Sequence, residues 1–175
     1  MASYGIAIPT KVAATNVDAY NRSAVSASAY ENGSVGYFSG KSATSGEEEV
    51  WTMVSPATAH LFNLWMMYEP EIVDSAAKYR GLDPDPRNYR AEIGTVFSVF
   101  QPQVGDLILM SADAIAGSLN TYAVATDGAQ KLTWAAAEVS GLSLEVLETT
   151  YISLGTGAIN TQRILAYLMG VTTVA

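Results

Sequence analysis

The chain contains one histidine, His60, and no cysteine. A Ser-His-Asp or Cys-His arrangement needs a base within hydrogen-bond reach of a nucleophile. A zinc site draws on several His or Cys ligands. His60 is flanked by Ala59 and Leu61, a setting that reads as packing rather than catalysis. Seventeen Asp and Glu residues guarantee some chance carboxylate pair, so the two-acid arrangement of glycoside cleavage leaves no distinctive mark. Glu47, Glu48 and Glu49 are adjacent, and neighbours in a strand point to opposite faces. They read as a solvated start to a strand. Asp83 and Asp85 lack the spacing of a calcium loop, and each precedes a proline, which favours extended backbone. They read as part of a stiff loop held by Arg80, Arg87 or Arg90. Gly155-Thr156-Gly157 has no third glycine and no surrounding βαβ pattern, and no Walker motif occurs. Trp51, Trp65 and Trp134, with ten tyrosines, could build a sugar-binding platform. Aromatics in strands more often fill a core or an interface. No catalytic, metal-binding or cofactor-binding residue is expected.

The elements that position these residues are mostly strands. In Pro102 to Ala112, Pro102 fixes φ and Gly105 can take positive φ. Asp106 can accept hydrogen bonds from nearby amides and close a turn. Leu107 to Met110 is then a short apolar run suited to a buried strand, and the segments after it can pair around it. These are Asn120 to Thr126, a turn at Asp127-Gly128, Lys131 to Ala135, Leu142 to Glu148 continued by Thr150 to Leu154, and Arg163 to Val171. Short strands linked by tight turns suggest a small barrel or sandwich.

The first half is less regular. Residues 1–49 are rich in Ala, Ser, Thr, Asn and Gly and bury little apolar surface by themselves. Ile6 and Ile8 alternate around Ala7 ahead of Pro9, the pattern of a short edge strand. Asn32-Gly33 signals a hairpin, or two extended segments, around a turn. Val50 to Val54 is a strand. Leu61, Leu64, Trp65 and Tyr68 have helical spacing, yet residues 64–68 are dense and aromatic, and a strand is favoured. Residues 71–79 read as a short helical turn or an irregular crossing. Ile93, Val96, Phe97 and Phe100 are spaced i, i+3, i+4 and i+7, which predicts a short helix. The expected fold is mainly β: a compact β-barrel or β-sandwich body with an extended N-terminal arm and one or two short helices, with α+β as the alternative. Residues 1–49 are expected to form the arm and hairpin region and 50–175 the β-rich body, together one compact domain.

Composition narrows the function. Net charge is −8, and no Lys/Arg cluster offers the phosphate contacts that nucleic-acid binders depend on. No apolar run approaches the length of a transmembrane helix, and the N-terminus lacks the pattern of a signal peptide. Charged residues are 15%, against about 25% in typical globular domains. Low charge fits either apolar surface buried on a partner or an Ala-rich chain with small exposed methyls. Four of the nine basic residues, Lys78, Arg80, Arg87 and Arg90, fall between 78 and 90. They mark a contact site for an acidic partner surface.

Several stretches resemble tailed-bacteriophage head decoration (cement) proteins and related small phage structural proteins. They are Ser42 to Trp51, Leu64 to Glu71, Lys78-Tyr79-Arg80-Gly81, Pro102 to Asp106, Trp134 to Ala137, Thr149 to Ile152 and Thr161-Gln162-Arg163. The resemblance spans most of the chain, and its motifs are structural. It implies a non-enzymatic virion protein, made in the host bacterial cytoplasm, that binds the major capsid protein on the outer face of the head and stabilises it. It also implies a homo-oligomer, with trimers common among such proteins. The expected contacts are Tyr4, Ile6 and Ile8 on an arm that adds a strand to a neighbour, together with Arg80, Arg87 and Arg90. The competing expectations are a tail or fibre-associated subunit and a carbohydrate-binding domain.

Overall fold

The computed structural model describes residues 4–43, 49–68, 87, 89–154 and 162–174. In chain order the strands are β1 (Ala7–Lys11), β2 (Asn21–Val25), β3 (Val35–Lys41), β4 (Val50–Val54), β5 (Trp65–Met67), β6 (Phe97–Phe100) and β7 (Leu107–Ser111). They continue with β8 (Ile115–Ala116), β9 (Tyr122–Val124), β10 (Leu132–Ala135), β11 (Ser143–Leu154) and β12 (Gln162–Thr173). The fold is mainly β, and the helical pieces among the described residues are single 3₁₀ turns. Seven strands form one sheet in the order β1-β7-β12-β11-β9-β10-β8, and the other five close a barrel in the order β2-β4-β3-β5-β6.

The turn at 102–106 works as its residues imply. Gly105 sits at φ 93°, where a side chain would be strained. The buried Asp106 carboxylate accepts the Gln103 N–H at 2.8 Å and, with its other oxygen, the Ala13 N–H at 2.8 Å. One side chain thus closes the turn into β7 and ties down the chain after β1. β7 lies between β1 and β12, with Ala7 opposite Met110 on one side and Met169 opposite Ile108 on the other.

Barrel and sheet share a core. Val35, Met66 and Phe100 on the barrel wall pack in one buried cluster with Ile108, Met110, Leu132, Leu144 and Met169 of the sheet. Each such side chain contributes about 1.5–3 kcal/mol by leaving water. The barrel interior is a second cluster of Ala24, Tyr30, Met53, Met67, Phe97 and Val99. Gly36 lines it because nothing larger fits: a Cβ there would lie 2.5 Å from the Val54 carbonyl and 2.8 Å from the Tyr30 hydroxyl. Tyr30 stacks on Phe97, with ring centroids 5.4 Å apart.

Three expectations change. Residues 92–100 form no helix: Gly94 turns at φ 73°, Ile93 and Val96 point to solvent, and Phe97–Phe100 is a strand. Phe97 and Val99 face the barrel interior while Phe100 faces the shared core. A strand buried on both faces is apolar in a run rather than in alternation, which mimics helical spacing. Around Asn32-Gly33 there is a turn, with Gly33 at φ 84°, but no hairpin. Tyr30 bridges Ala91, and Val35 pairs with Met66, so the flanking segments take other partners. Residues 7–11 are extended, as expected, but they add a strand to their own chain's sheet rather than reach out from it. β2 and β3, from before residue 50, share the barrel with β4, β5 and β6, so a cut at residue 50 would divide it. Residues 71–79 lie outside the described residues.

Two predictions follow from these interiors. Asp106→Ala leaves two half-buried amides without their acceptor, each at about 1 kcal/mol, the low end of the range for a lost partner. Urea denaturation should show a lowered midpoint, and a wild-type midpoint would contradict the tether. The Tyr30 hydroxyl is buried with no hydrogen bond of good geometry. Burial pushes its phenol from near 10 up to about 12, an effect that the neighbouring Ser55 and Gln130 side chains only partly offset. The folded state therefore holds this proton more tightly than the unfolded chain. The stabilisation is fully present below pH 10 and is lost as pH rises to 12, a fall of about 3 kcal/mol at 1.36 kcal/mol per pH unit. Tyr30→Phe should match or exceed wild-type stability at pH 7 and lose less between pH 10 and 12. An equal alkaline loss in both proteins would contradict this account.

Candidate interaction surface

The N-terminal residues and the arginines meet at one corner. The Tyr4 N–H donates to the Arg87 carbonyl at 2.8 Å, and the Arg90 guanidinium lies 5.3 Å from the Tyr4 ring centroid. Arg90 pairs with Glu92 at 3.1 Å across a largely exposed contact. Next to them, Glu31 accepts the Gly5 N–H at 3.0 Å and pairs with Lys131 at 2.8 Å. Tyr4, Arg87 and Arg90 are thus brought together, while Arg80 lies outside the described residues. Ile6 is placed otherwise: it is 4% exposed and packs with Ile152 and Ala166. The strand that was to carry it outward lies on the chain's own sheet, so Ile6 serves folding. Ile8 is 42% exposed.

Ile8 belongs to a row that the sequence did not reveal. It lies opposite Leu109 in β7, and Leu109 lies opposite Leu168 in β12. Directly opposed residues share a face, and this face is turned away from the barrel, since its neighbours Ile108 and Met110 point into the shared core. Leu109 and Leu168 are only half-buried. Leu147 extends the apolar surface: it is 54% exposed and lies over Gly170, where a Cβ would come within 3.1 Å of its Cδ1. The β7 alternation gave a hint in Leu107 and Leu109, but the row depends on the registers of three strands distant in sequence.

A second feature lies in the barrel. Phe38 stacks on Trp51 at 5.5 Å and on Trp65 at 4.6 Å, and the Arg22 guanidinium is 5.9 Å from the Trp65 ring. Phe38 and Trp65 border the interior cluster. Phe38 takes up one ring face of each tryptophan, and Trp134 packs edge-on against Tyr167 in the sheet. All three tryptophans are half-buried.

Other candidates stand apart. His60 is exposed and stacks on Tyr37, with ring centroids 4.2 Å apart. Apolar sequence neighbours predicted packing, and the contact is made from the surface. Among the described residues, no three His, Asp or Glu side chains gather as a metal site. Asp83, Asp85 and Gly155-Thr156-Gly157 lie outside them. Among the described residues, no helix is long and apolar enough to cross a membrane. A groove of about 360 Å³ beside β1 is lined by Ile8, Pro9, Val12, Tyr68 and Phe100 among others, with no carboxylate or histidine.

Ile6 and Arg90 therefore differ in what they do for the fold: Ile6 is buried, and Arg90 pairs with Glu92 at the surface. Ile6→Ala should cost about 2–5 kcal/mol, the range for a buried Ile, whereas Arg90→Ala should leave the unfolding midpoint in place. Thermal melts of both variants check this, and an Ile6→Ala melt matching wild type would overturn the placement.

No family model, curated protein or solved structure matches the chain.

Proposed function

We propose that the chain is a non-enzymatic virion structural protein that binds the outer surface of a phage capsid, through the major capsid protein, and stabilises the shell. The observation that carries this reading is the partly exposed apolar row Ile8, Leu109 and Leu168 on the sheet face turned away from the barrel, beside the buried cluster of Ile6, Ile152 and Ala166 against which Leu109 packs. A chain with 15% charged residues that keeps a partly exposed apolar row has a use for covering the rest of it. The resemblance to head decoration proteins supplies the partner. The corner where Tyr4 meets Arg87 and the Arg90-Glu92 pair flanks the start of β1 and adds an aromatic and polar border to that face. Many copies on a repeating lattice add avidity to contacts that are weak singly. Attached copies stabilise the shell by mass action, because they bind the assembled state and not its separated subunits.

Purified heads lacking the protein provide the test. Added protein should co-sediment with them and raise their disruption temperature, and Ile8→Glu should weaken binding at least tenfold while leaving the protein folded. Absence of co-sedimentation, with head stability unchanged, would overturn the proposal. Rings or filaments formed by the isolated protein would favour a tail-associated subunit instead.

A further inference from the structure

Among the described residues the seven-stranded sheet leaves several edge stretches unpaired, and they are not treated alike. The β1 edge carries Pro9 and Lys11, residues that discourage pairing with another chain. The β8 edge is only two residues long. The third arises because β11 outruns its neighbour: β9 pairs with β11 only at residues 143–145, although β11 continues to Leu154. A bulge at Leu147 separates the two parts. Beyond it, residues 148–154 run in unbroken register with β12, from Glu148 opposite Leu168 to Leu154 opposite Gln162. On their other side no described strand pairs with them.

This stretch has no proline and no lysine, and its only charge is Glu148. Thr149, Thr150, Tyr151 and Ile152 are strong strand formers. Tyr151 is 56% exposed, and its partner across the hairpin, Leu165, is 38% exposed. β7 reaches only as far as Ala166 of β12, so among the described residues the far part of the hairpin is two-stranded; Ile6 packs on one of its faces, against Ile152 and Ile164, and the β12 edge there carries Arg163, a charge that the β11 edge lacks beyond Glu148.

We propose that the edge at residues 148–154 pairs antiparallel with the same edge of a second copy, joining two seven-stranded sheets across a two-fold axis near Tyr151. The sequence suits self-pairing. With the axis at Tyr151, position 150 meets 152, 149 meets 153 and 148 meets 154, and the two tyrosines face each other. Cross-strand aromatic pairs are favourable. Glu148 never opposes itself, so a chain of net charge −8 meets no like charge along this ladder. A two-fold contact of this kind uses one patch twice and closes at two copies. The inference does not rest on the capsid reading, since it concerns two copies of the chain alone.

Sedimentation equilibrium of the full chain over micromolar to hundred-micromolar concentrations tests the proposal. The expected result is a monomer–dimer equilibrium that Tyr151→Lys weakens at least tenfold, with Thr149→Lys doing the same. Both side chains are exposed, and unchanged far-UV circular dichroism would show that the hairpin is retained. Should Tyr151→Lys fail to fold, Thr149→Lys decides. A wild-type chain monomeric throughout, a trimer, or a dimer indifferent to the lysine variants would each overturn the proposal. Tyr151→Cys gives a further check: oxidation should yield a disulfide-linked dimer, and a failure to cross-link faster than Ser28→Cys, a distant exposed control, would count against the register.

Discussion

Everything in this molecule depends on one strand being buried from both directions. β7 is flanked by β1 and β12, and its Ile108 and Met110 press into the wall of the barrel. Phe100, Met66 and Val35 meet them there. Five barrel strands of three to seven residues enclose a small interior of their own. The barrel's outer wall must lie on something apolar, and the sheet supplies it. The sheet in turn needs one face covered, and the barrel does that. The Asp106 carboxylate fixes the point where the two systems join, because it holds the turn before β7 and the chain after β1 at once.

The same arrangement explains what is left over. A sheet with one face against a barrel has a second face, and in this chain that face keeps Ile8, Leu109 and Leu168 in a row. The aromatic stack of Trp51, Phe38 and Trp65 is different: its rings use one another's faces. Exposed apolar side chains also occur in loops, Ile93 and Val104 among them, but on the sheet they line up across strands, and it is this row that the proposed capsid contact uses. The proposed capsid contact and the proposed pairing of two copies occupy different parts of that sheet, a face and an edge, so one does not block the other.

Much of the fold was legible in the sequence where local chemistry decides. The 102–106 turn announced itself through Pro102, Gly105 and Asp106, and β7, β9, β10, β11 and β12 appear where their β-prone runs lie. Reading failed where tertiary partners decide. Phe97 to Phe100 is apolar on both sides because it separates two cores, and this imitates a helix. Asn32-Gly33 makes its turn, but β4 lies between β2 and β3 in the barrel, and no local signal encodes that. The placement of the candidate contact residues was legible only in part. Ile8 alternates visibly, and Tyr4 meets Arg87 and Arg90 as a group. Ile6 belongs to the interior because β1 docks on β7, and the Ile8–Leu109–Leu168 row exists only once three registers are fixed.

The central claim is that the sheet's outer face exists to be covered by a viral shell. A cryo-electron microscopy reconstruction of the native phage particle tests it most directly. The account predicts density for this chain on the outside of the head, with Ile8, Leu109 and Leu168 buried against capsid subunits. A map that places the chain elsewhere in the particle, or on the head with that row facing solvent, would contradict it.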